Sequence, residues 1–550
     1  MDLYPVKAQY LLGEEVVIRL ELGGTTASLV VLKVFHLQNE LQTITLQDVH
    51  DAADVSVGIF QETFAGYGIH ASISCGGVES HLTTSFDVVD NPKRSLRYGF
   101  LSDFSPKDLD NGAIKSLRKY HINMVQFYDW SFRHDSLVAQ ETEYIDMMGK
   151  HISGDVVRAK IAEGQLYGMH SIAYGAIYAA SKDFFDSHQE WAFYNSEQKP
   201  FVFIDVFYIM NIATGSLWRQ HLYQQYRNAI EKMGFAGIHM DTYGFPKTAY
   251  SHIADSPELV HLDMEFPSLI NETRDALLEV SPDPYLIFNN VGNWPVYATA
   301  ASLQDAVYIE VWNPFDRYEH IAQIIREARY YGGSQKSIIL AAYLKPFQEK
   351  ANYAEASVAA LILTAAIVSQ GAYHLLLGER NAVLTQGYYS DYSILSDQSA
   401  AKMRRYYDFM IRYLELFYDP TLKNVSMSHM GWDNYEYACA SHHISASGEA
   451  GKIWATIREN DERKCIFLVN LCGCQDDYWN SGKPQPTHQT NVKFIVQVDF
   501  EVQGIYSATP DSDLSNAVKL DFSYISKPQG RFVSFILPEL SVWSIVWIQF

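Results

Sequence analysis

Two carboxylates stand where apolar runs end. The stretch "GFAGIHMDTYG" (Gly234 to Gly244) closes its run on Asp241, and "VYIEVW" holds Glu310 between β-branched and aromatic residues. Side chains alternate along a strand, so Gly237, His239 and Asp241 share one face of the first run, and Tyr308, Glu310 and Trp312 share one face of the second. An aspartate that ends a strand can simply form a turn or cap a helix. A glutamate inside "VYIEVW" has no turn to make, and its charge must be met by a partner or a cleft. Pressed among aromatic rings, its carboxyl is poorly solvated and its pKa rises, so it can hold a proton to donate. Two such carboxylates ringed by Tyr, Trp and Asn fit glycoside hydrolysis, in which one attacks and the other protonates the leaving oxygen.

The elements that position them alternate. Between about 95 and 420 the apolar runs "YGFL", "MVQFYDW", "YGMHSIAY", "AGIHMD", "YLIFNN", "AVYIEVW", "SIILAAYL" and "AYHLLLG" are mostly separated by amphipathic helical patterns such as "DVVRAKIAEGQL" and "YEHIAQIIREARYY". Eight strands alternating with helices predict a (β/α)8 TIM barrel, whose chemistry sits at the C-terminal ends of the strands. Those ends carry Asp129, Tyr174, Asp241, Asn289 and Asn290, Glu310, Tyr343 and Glu379. The expected sugar ligands are Asp129, Tyr174, His239, Asn290, Trp312, Tyr343 and Glu379. Asp129 has a plainer alternative, an ion pair with Arg133 or His134. The long interval from about 175 to 235 is expected to hold an inserted active-site loop and a helix.

Short β-branched runs separated by Gly, Asn and Asp flank this region. They predict a multidomain chain: an N-terminal immunoglobulin-like β-sandwich over 1–92, the catalytic barrel over 93–420, and a C-terminal antiparallel β-domain, also a sandwich, over 421–550. The net charge of −22 disfavours nucleic acid and anionic membranes as partners, and 37 Tyr, 29 Phe and 10 Trp supply stacking surfaces. Five cysteines are too few, and odd in number, for a disulfide framework. Cys472 and Cys474 with Cys439, His442 and His443 match no standard zinc spacing, and "SGEAGK" lacks the full phosphate-loop pattern, so neither metal nor cofactor is expected. No run reaches the roughly 18 apolar residues of a transmembrane helix. The start, "MDLYPVKAQYLLGEEV", shows no basic n-region with an apolar core. The expected location is therefore the cytoplasm, or outside the cell if a leader has been removed.

The combination "GFAGIHMDTYG", "VYIEVW", "QFYDWSFRH", "HLLLGER", "WATIREN" and "VNLCGCQDDYWNSGKPQP" resembles glycoside hydrolase family 66, the endo-dextranases and cycloisomaltooligosaccharide glucanotransferases. The likeness spans nearly the whole chain. It implies that Asp241 is the nucleophile and Glu310 the acid/base, and that Asp129 and its neighbours hold the sugar at the cleaved bond. The implied reaction is retaining cleavage of α-1,6-glucosidic bonds in dextran or isomaltooligosaccharides, with the two carboxyl groups about 5 to 6 Å apart. Cyclising members usually carry an inserted carbohydrate-binding domain late in the barrel. Only about twenty residues lie between "HLLLGER" and the helix "AAKMRRYYDFMIRYLEL" here. Hydrolysis is expected, with ring-forming transglycosylation or non-catalytic glucan binding as the alternatives.

Overall fold

The computed structural model describes residues 1–110, 112–254, 256–431 and 433–550. At its centre lie eight parallel strands: β1 (Tyr98–Leu101), β2 (Met124–Phe127), β3 (His170–Ala176), β4 (Gly237–Asp241), β5 (Tyr285–Val291), β6 (Ala306–Glu310), β7 (Ser337–Ala341) and β8 (Tyr373–Leu375). They are hydrogen-bonded in sequence order. The seam between β8 and β1 is nearly closed: the Phe100 amide donates to the Leu377 carbonyl at 3.3 Å, and Phe100 pairs in parallel with Gly378. A helix follows each strand: α1 (Ala113–Arg118), α2 (Gly154–Leu166), α3 (Leu217–Asn228), α4 (Leu262–Leu278), α5 (Val296–Thr299), α6 (Tyr318–Gly332), α7 (Tyr353–Ser369) and α8 (Asp397–Arg412). Right-handed β-α-β winding of this kind buries both faces of every strand, which is why the strands read as near-continuous apolar runs.

From Ala359 to Ser369 helix α7 is apolar on nearly all sides because it is buried on all sides. The helical stretch Lys350–Ser369 is long and apolar enough to cross a membrane by length and composition, although polar residues keep it from being an unbroken apolar run. In the fold it lies between the barrel and the C-terminal sheet. The Trp543 indole donates to Ser369 Oγ at 3.0 Å, and just past the helix Gln370 bonds Thr456 at 2.6 Å.

The N-terminal sheet differs in detail from the sequence reading. "VVIRLEL" and "SLVVLKVF", read as two strands, form one 22-residue strand, Glu15–His36, paired with a 21-residue strand, Asn39–Ile59, that absorbs "LQTITL". The register slips between Glu21 and Thr26, where Gly23 and Gly24 take positive φ. A glycine pair at a bulge looks like a turn in sequence, and here the strand continues through it. The long strands wrap a sandwich-like sheet around its own core, from Leu3 to Val88. Where this sheet meets the barrel, Arg97 and Asp87 form a buried two-pronged ion pair at 2.8 and 3.1 Å, and Arg97 Nε donates to the His121 carbonyl.

Two antiparallel sheets, of seven and four strands, form the C-terminal region. Along Arg463–Asn470 and Trp543–Gln549, alternate residues serve different cores. Ile466, Leu468, Val546 and Ile548 face the second sheet, while Phe467, Trp543 and Trp547 join the core around the barrel. Each such aromatic side chain contributes about 1.5–3 kcal/mol of burial. The sheet is thereby fixed to the barrel's outer helices.

Candidate active site

Strand register decides which side chains reach the barrel mouth. His239 pairs with Ile287 and Met240 with Phe288, while Asn289 pairs with Tyr308 and Val291 with Glu310. Residues paired across parallel strands point the same way, so Asp241, Asn289 and Glu310 all face inward. Gly237 starts β4 on this inward face because nothing larger fits: a Cβ there would lie 2.0 Å from the Tyr285 carbonyl oxygen.

Asn289 joins the two carboxylates. Its Nδ2 donates to Asp241 Oδ1 at 2.7 Å and to Glu310 Oε2 at 3.0 Å. Two oxygens bonded to one nitrogen at those lengths lie less than about 6 Å apart, compatible with the roughly 5–5.5 Å carboxyl spacing of retaining glycosidases. Tyr174 donates to Asp241 Oδ2 at 2.7 Å, and Tyr343 donates to Glu310 Oε1 at 2.8 Å. Burial, then repulsion from Glu310, pushes the Asp241 carboxyl up to about 7, and burial raises Glu310 as well. Both shifts favour the protonated carboxyl, so the pair binds protons more readily than exposed carboxylates do.

The cleft above them has a volume of about 350 Å³. Its walls include Tyr128, Asp129, Tyr174, Tyr243 and Trp312, with Phe203 and Phe207 from the expected insertion after β3. That insertion holds the small strands Val202–Phe203 and Phe207–Ile209 and then α3. Trp312 stands at the rim, 42 % exposed, its ring edge-on to Tyr343. Asp129 takes a left-handed φ of 50° and lines the cleft. No ion pair joins it to Arg133 or His134 among the described residues. Burial, then Asp146, holds it at about 7 against the opposing pull of Lys150.

Four of the expected sugar ligands are absent from the cleft wall. Asn290 faces the helices: its Nδ2 donates to the Tyr308 carbonyl at 2.9 Å, and its Oδ1 accepts from Thr299 Oγ1 at 2.6 Å. His239 lies one layer below Asp241, where Nδ1 meets the Tyr98 hydroxyl at 2.8 Å and burial drives its pKa to about 3, leaving a neutral ring as floor. Glu379 is fully buried at the barrel seam. Its Oε1 accepts from the Ser102 and Asp103 amides at 2.7 and 2.9 Å, and Lys160 sits 3.3 Å from Oε2. It ties β8 to β1 and does not reach the cleft. Tyr343 acts on Glu310 and is absent from the cleft wall, whereas Asp129, Tyr174 and Trp312 are on it.

Residues from the segment after β8 also enter the site. Gly387 passes over Glu310 so closely that a Cβ would meet Oε1 at 3.1 Å and the Trp312 ring at 3.2 Å. Tyr388 lines the cleft, and Tyr389 lies behind it, stacked on Tyr128 at 4.4 Å. The sequence offers only "GYYSDYS" there, a loop pattern that does not reveal its path back across the mouth.

The glycosyl hydrolase family 66 model matches residues 5–547. A cycloisomaltooligosaccharide glucanotransferase of Niallia circulans is 23% identical across 99% of this chain and 72% of its own length. A dextranase of Streptococcus salivarius is 21% identical over 60% of this chain and 46% of its own. Among solved structures, a Paenibacillus cycloisomaltooligosaccharide glucanotransferase complexed with cycloisomaltoheptaose has a TM-score of 0.88 at 21% identity, covering 100% of this chain and 99% of its own. At that identity the likeness establishes the fold.

Proposed function

This chain belongs to glycosyl hydrolase family 66, and we propose that it is a retaining enzyme cleaving α-1,6-glucosidic bonds of dextran or isomaltooligosaccharides, with Asp241 as nucleophile and Glu310 as acid/base. The observation that carries this reading is the single Asn289 nitrogen bonded to both carboxylates. It holds one oxygen of each carboxylate close to the other, which supports the short separation that double displacement needs.

In the first half of the reaction Glu310 protonates the glycosidic oxygen while Asp241 attacks the anomeric carbon, forming a covalent glucosyl-enzyme. Asp241 is steadied by Tyr174 and Asn289 as it gives up its negative charge to the new bond. In the second half Glu310 takes a proton from water, which attacks the same carbon and releases the sugar with its configuration retained. The aromatic walls supply faces for the sugar rings, and Asp129 supplies an acceptor for sugar hydroxyls.

Transfer to the 6-hydroxyl of another glucose, giving rings or rearranged chains, is the second reading. It is favoured by the names of the relatives that cover nearly all of this chain. Against it, only a short segment separates β8 from α8, and that segment lies against the catalytic pair. A barrel that only binds glucan would gain nothing from two buried carboxylates held at close range, an arrangement that costs stability.

Incubation with dextran separates the readings. Linear isomaltooligosaccharides whose first-released anomer is α are the expected product. Rings would shift the assignment to transfer, a β-anomer would refute retention, and no change in the dextran would refute catalysis.

A further inference from the structure

We propose that Tyr389, which touches neither carboxylate, is a positioning residue that sets how tightly Glu310 holds its proton, acting through Tyr343. The inference rests on the acid/base role proposed above for Glu310. Three phenol hydroxyls stand in series behind that carboxyl. Tyr343 donates to Glu310 Oε1 at 2.8 Å, the Tyr343 and Tyr389 hydroxyls are 3.2 Å apart, and the Tyr389 and Tyr308 hydroxyls are 2.8 Å apart.

A hydroxyl carries one proton and can also accept. Because the Tyr343 proton is committed to Glu310, its oxygen can only accept from Tyr389. The Tyr389 oxygen, in the same way, can only accept from Tyr308. Every donor in the series therefore points toward Oε1. Hydrogen bonds in a chain polarise one another, so the Tyr389 hydroxyl strengthens the bond that reaches the carboxylate.

The ionised form of Glu310 depends on such donors because burial works against it. The groups around it are Asp241 from β4, Asn289 from β5, Tyr308 from β6, Trp312 beyond β6, Tyr343 beyond β7, and Gly387 and Tyr389 from the segment after β8. Asp129, Tyr128, Tyr174, Tyr243 and Tyr388 line the same cleft. Two of these groups are acids. The described residues of the cleft wall include no Lys or Arg, and their one histidine, His134, is kept neutral by burial, with its pKa at about 4. Hydrogen-bond donors, not a cation, thus favour the base form that the second half-reaction requires. The phenol series extends that donation two residues beyond direct contact.

Packing makes the series testable. The Tyr389 ring is buried, stacked on Tyr128 at 4.4 Å and set edge-on to Phe100 at 5.3 Å. Tyr389→Phe keeps those ring contacts and removes only the hydroxyl. With a weaker donor behind it, Glu310 holds its proton to higher pH. In Y389F the alkaline limb of kcat/KM, where Glu310 must stay protonated, should move up by about half a pH unit, a fraction of one hydrogen bond. The melting temperature should stay close to that of the parent. Tyr308→Phe, at the far end of the series, should move the limb in the same direction by less, and it reads the same chain if Y389F fails to fold. A limb that is unmoved or moves down in a folded variant overturns the proposal. Glu310→Gln separates the two levels. If it abolishes activity while the Y389F limb stays in place, only the relay falls; if E310Q stays active, the acid/base reading itself falls.

Discussion

Asn289 and Asn290 are neighbours in sequence and sit on opposite faces of β5, the first bonded to both carboxylates and the second to the β6 backbone and Thr299. Substituting each with alanine should therefore give opposite phenotypes. N289A removes a donor that serves the reacting pair, and kcat on isomaltooligosaccharides should fall by about 10²- to 10³-fold. N290A strands the buried partners of its amide, so it should cost about 1–3 kcal/mol of stability while kcat changes by no more than a few fold. Parallel kinetic and melting measurements on the two variants check this. Equal losses of activity would show that the strand register is wrong.

Asp241→Asn and Glu310→Ala should each cut turnover by several powers of ten, but only one should be rescued in the retained configuration. Azide needs no general base, so with a substrate bearing a good leaving group it should restore turnover of E310A and give a glycosyl azide of retained configuration. D241N has no nucleophile to form the glucosyl-enzyme and should give no retained azide. Product configuration by NMR checks the assignment, and exchanged outcomes would exchange the two roles.

Glu379 closes the barrel and should behave as a structural residue. Lys160→Met would leave its carboxylate buried without a cation, destabilising the fold by about 3–5 kcal/mol. Pairing it with Glu379→Leu should recover part of that loss, since it removes the uncompensated charge but leaves the Ser102 and Asp103 amides without their acceptor. Neither change should alter kcat of the folded fraction by more than a few fold. A specific loss of kcat at unchanged melting temperature would return Glu379 to the active site.

Much of this fold was legible because burial on both faces makes a barrel strand an unbroken apolar run, and all eight runs correspond to strands. The alternation that puts Asp241 and Glu310 on inward faces works because each has a clear outward partner set, Ile238 and Met240 for one and Val307, Ile309 and Val311 for the other. At "YLIFNN" both faces are apolar until two asparagines end it, so local pattern favours neither; only pairing with β4 and β6 selects Asn289. Glu379 lies away from its expected place for a related reason. A carboxylate just past a strand looks the same in sequence whether it meets substrate or, as here, a lysine from α2 and two amides after β1. Tyr389 left no trace, because its place depends on Ala382–Val383 pairing with Ser393–Ile394 to fold the loop back.

The raised Asp241 carboxyl also predicts how stability varies with pH. Its folded value of about 7 lies above the ordinary 3.8, so the folded chain binds this proton more tightly than the unfolded chain does. Where the folded state holds more protons, stability falls as pH rises. Asp241 therefore detracts from stability progressively between about pH 4 and pH 7, and the loss is complete above that window. Asparagine cannot ionise and escapes the loss. D241N should melt above the parent at pH 8, and the gap should narrow toward pH 5. Asp129, also raised to about 7, gives the same sign for D129N. Melting curves at pH 5, 6.5 and 8 check this. A gap that widens toward acid would mean that the carboxyl is held ionised by partners that outweigh its burial, and the raised Asp241 carboxyl would be refuted.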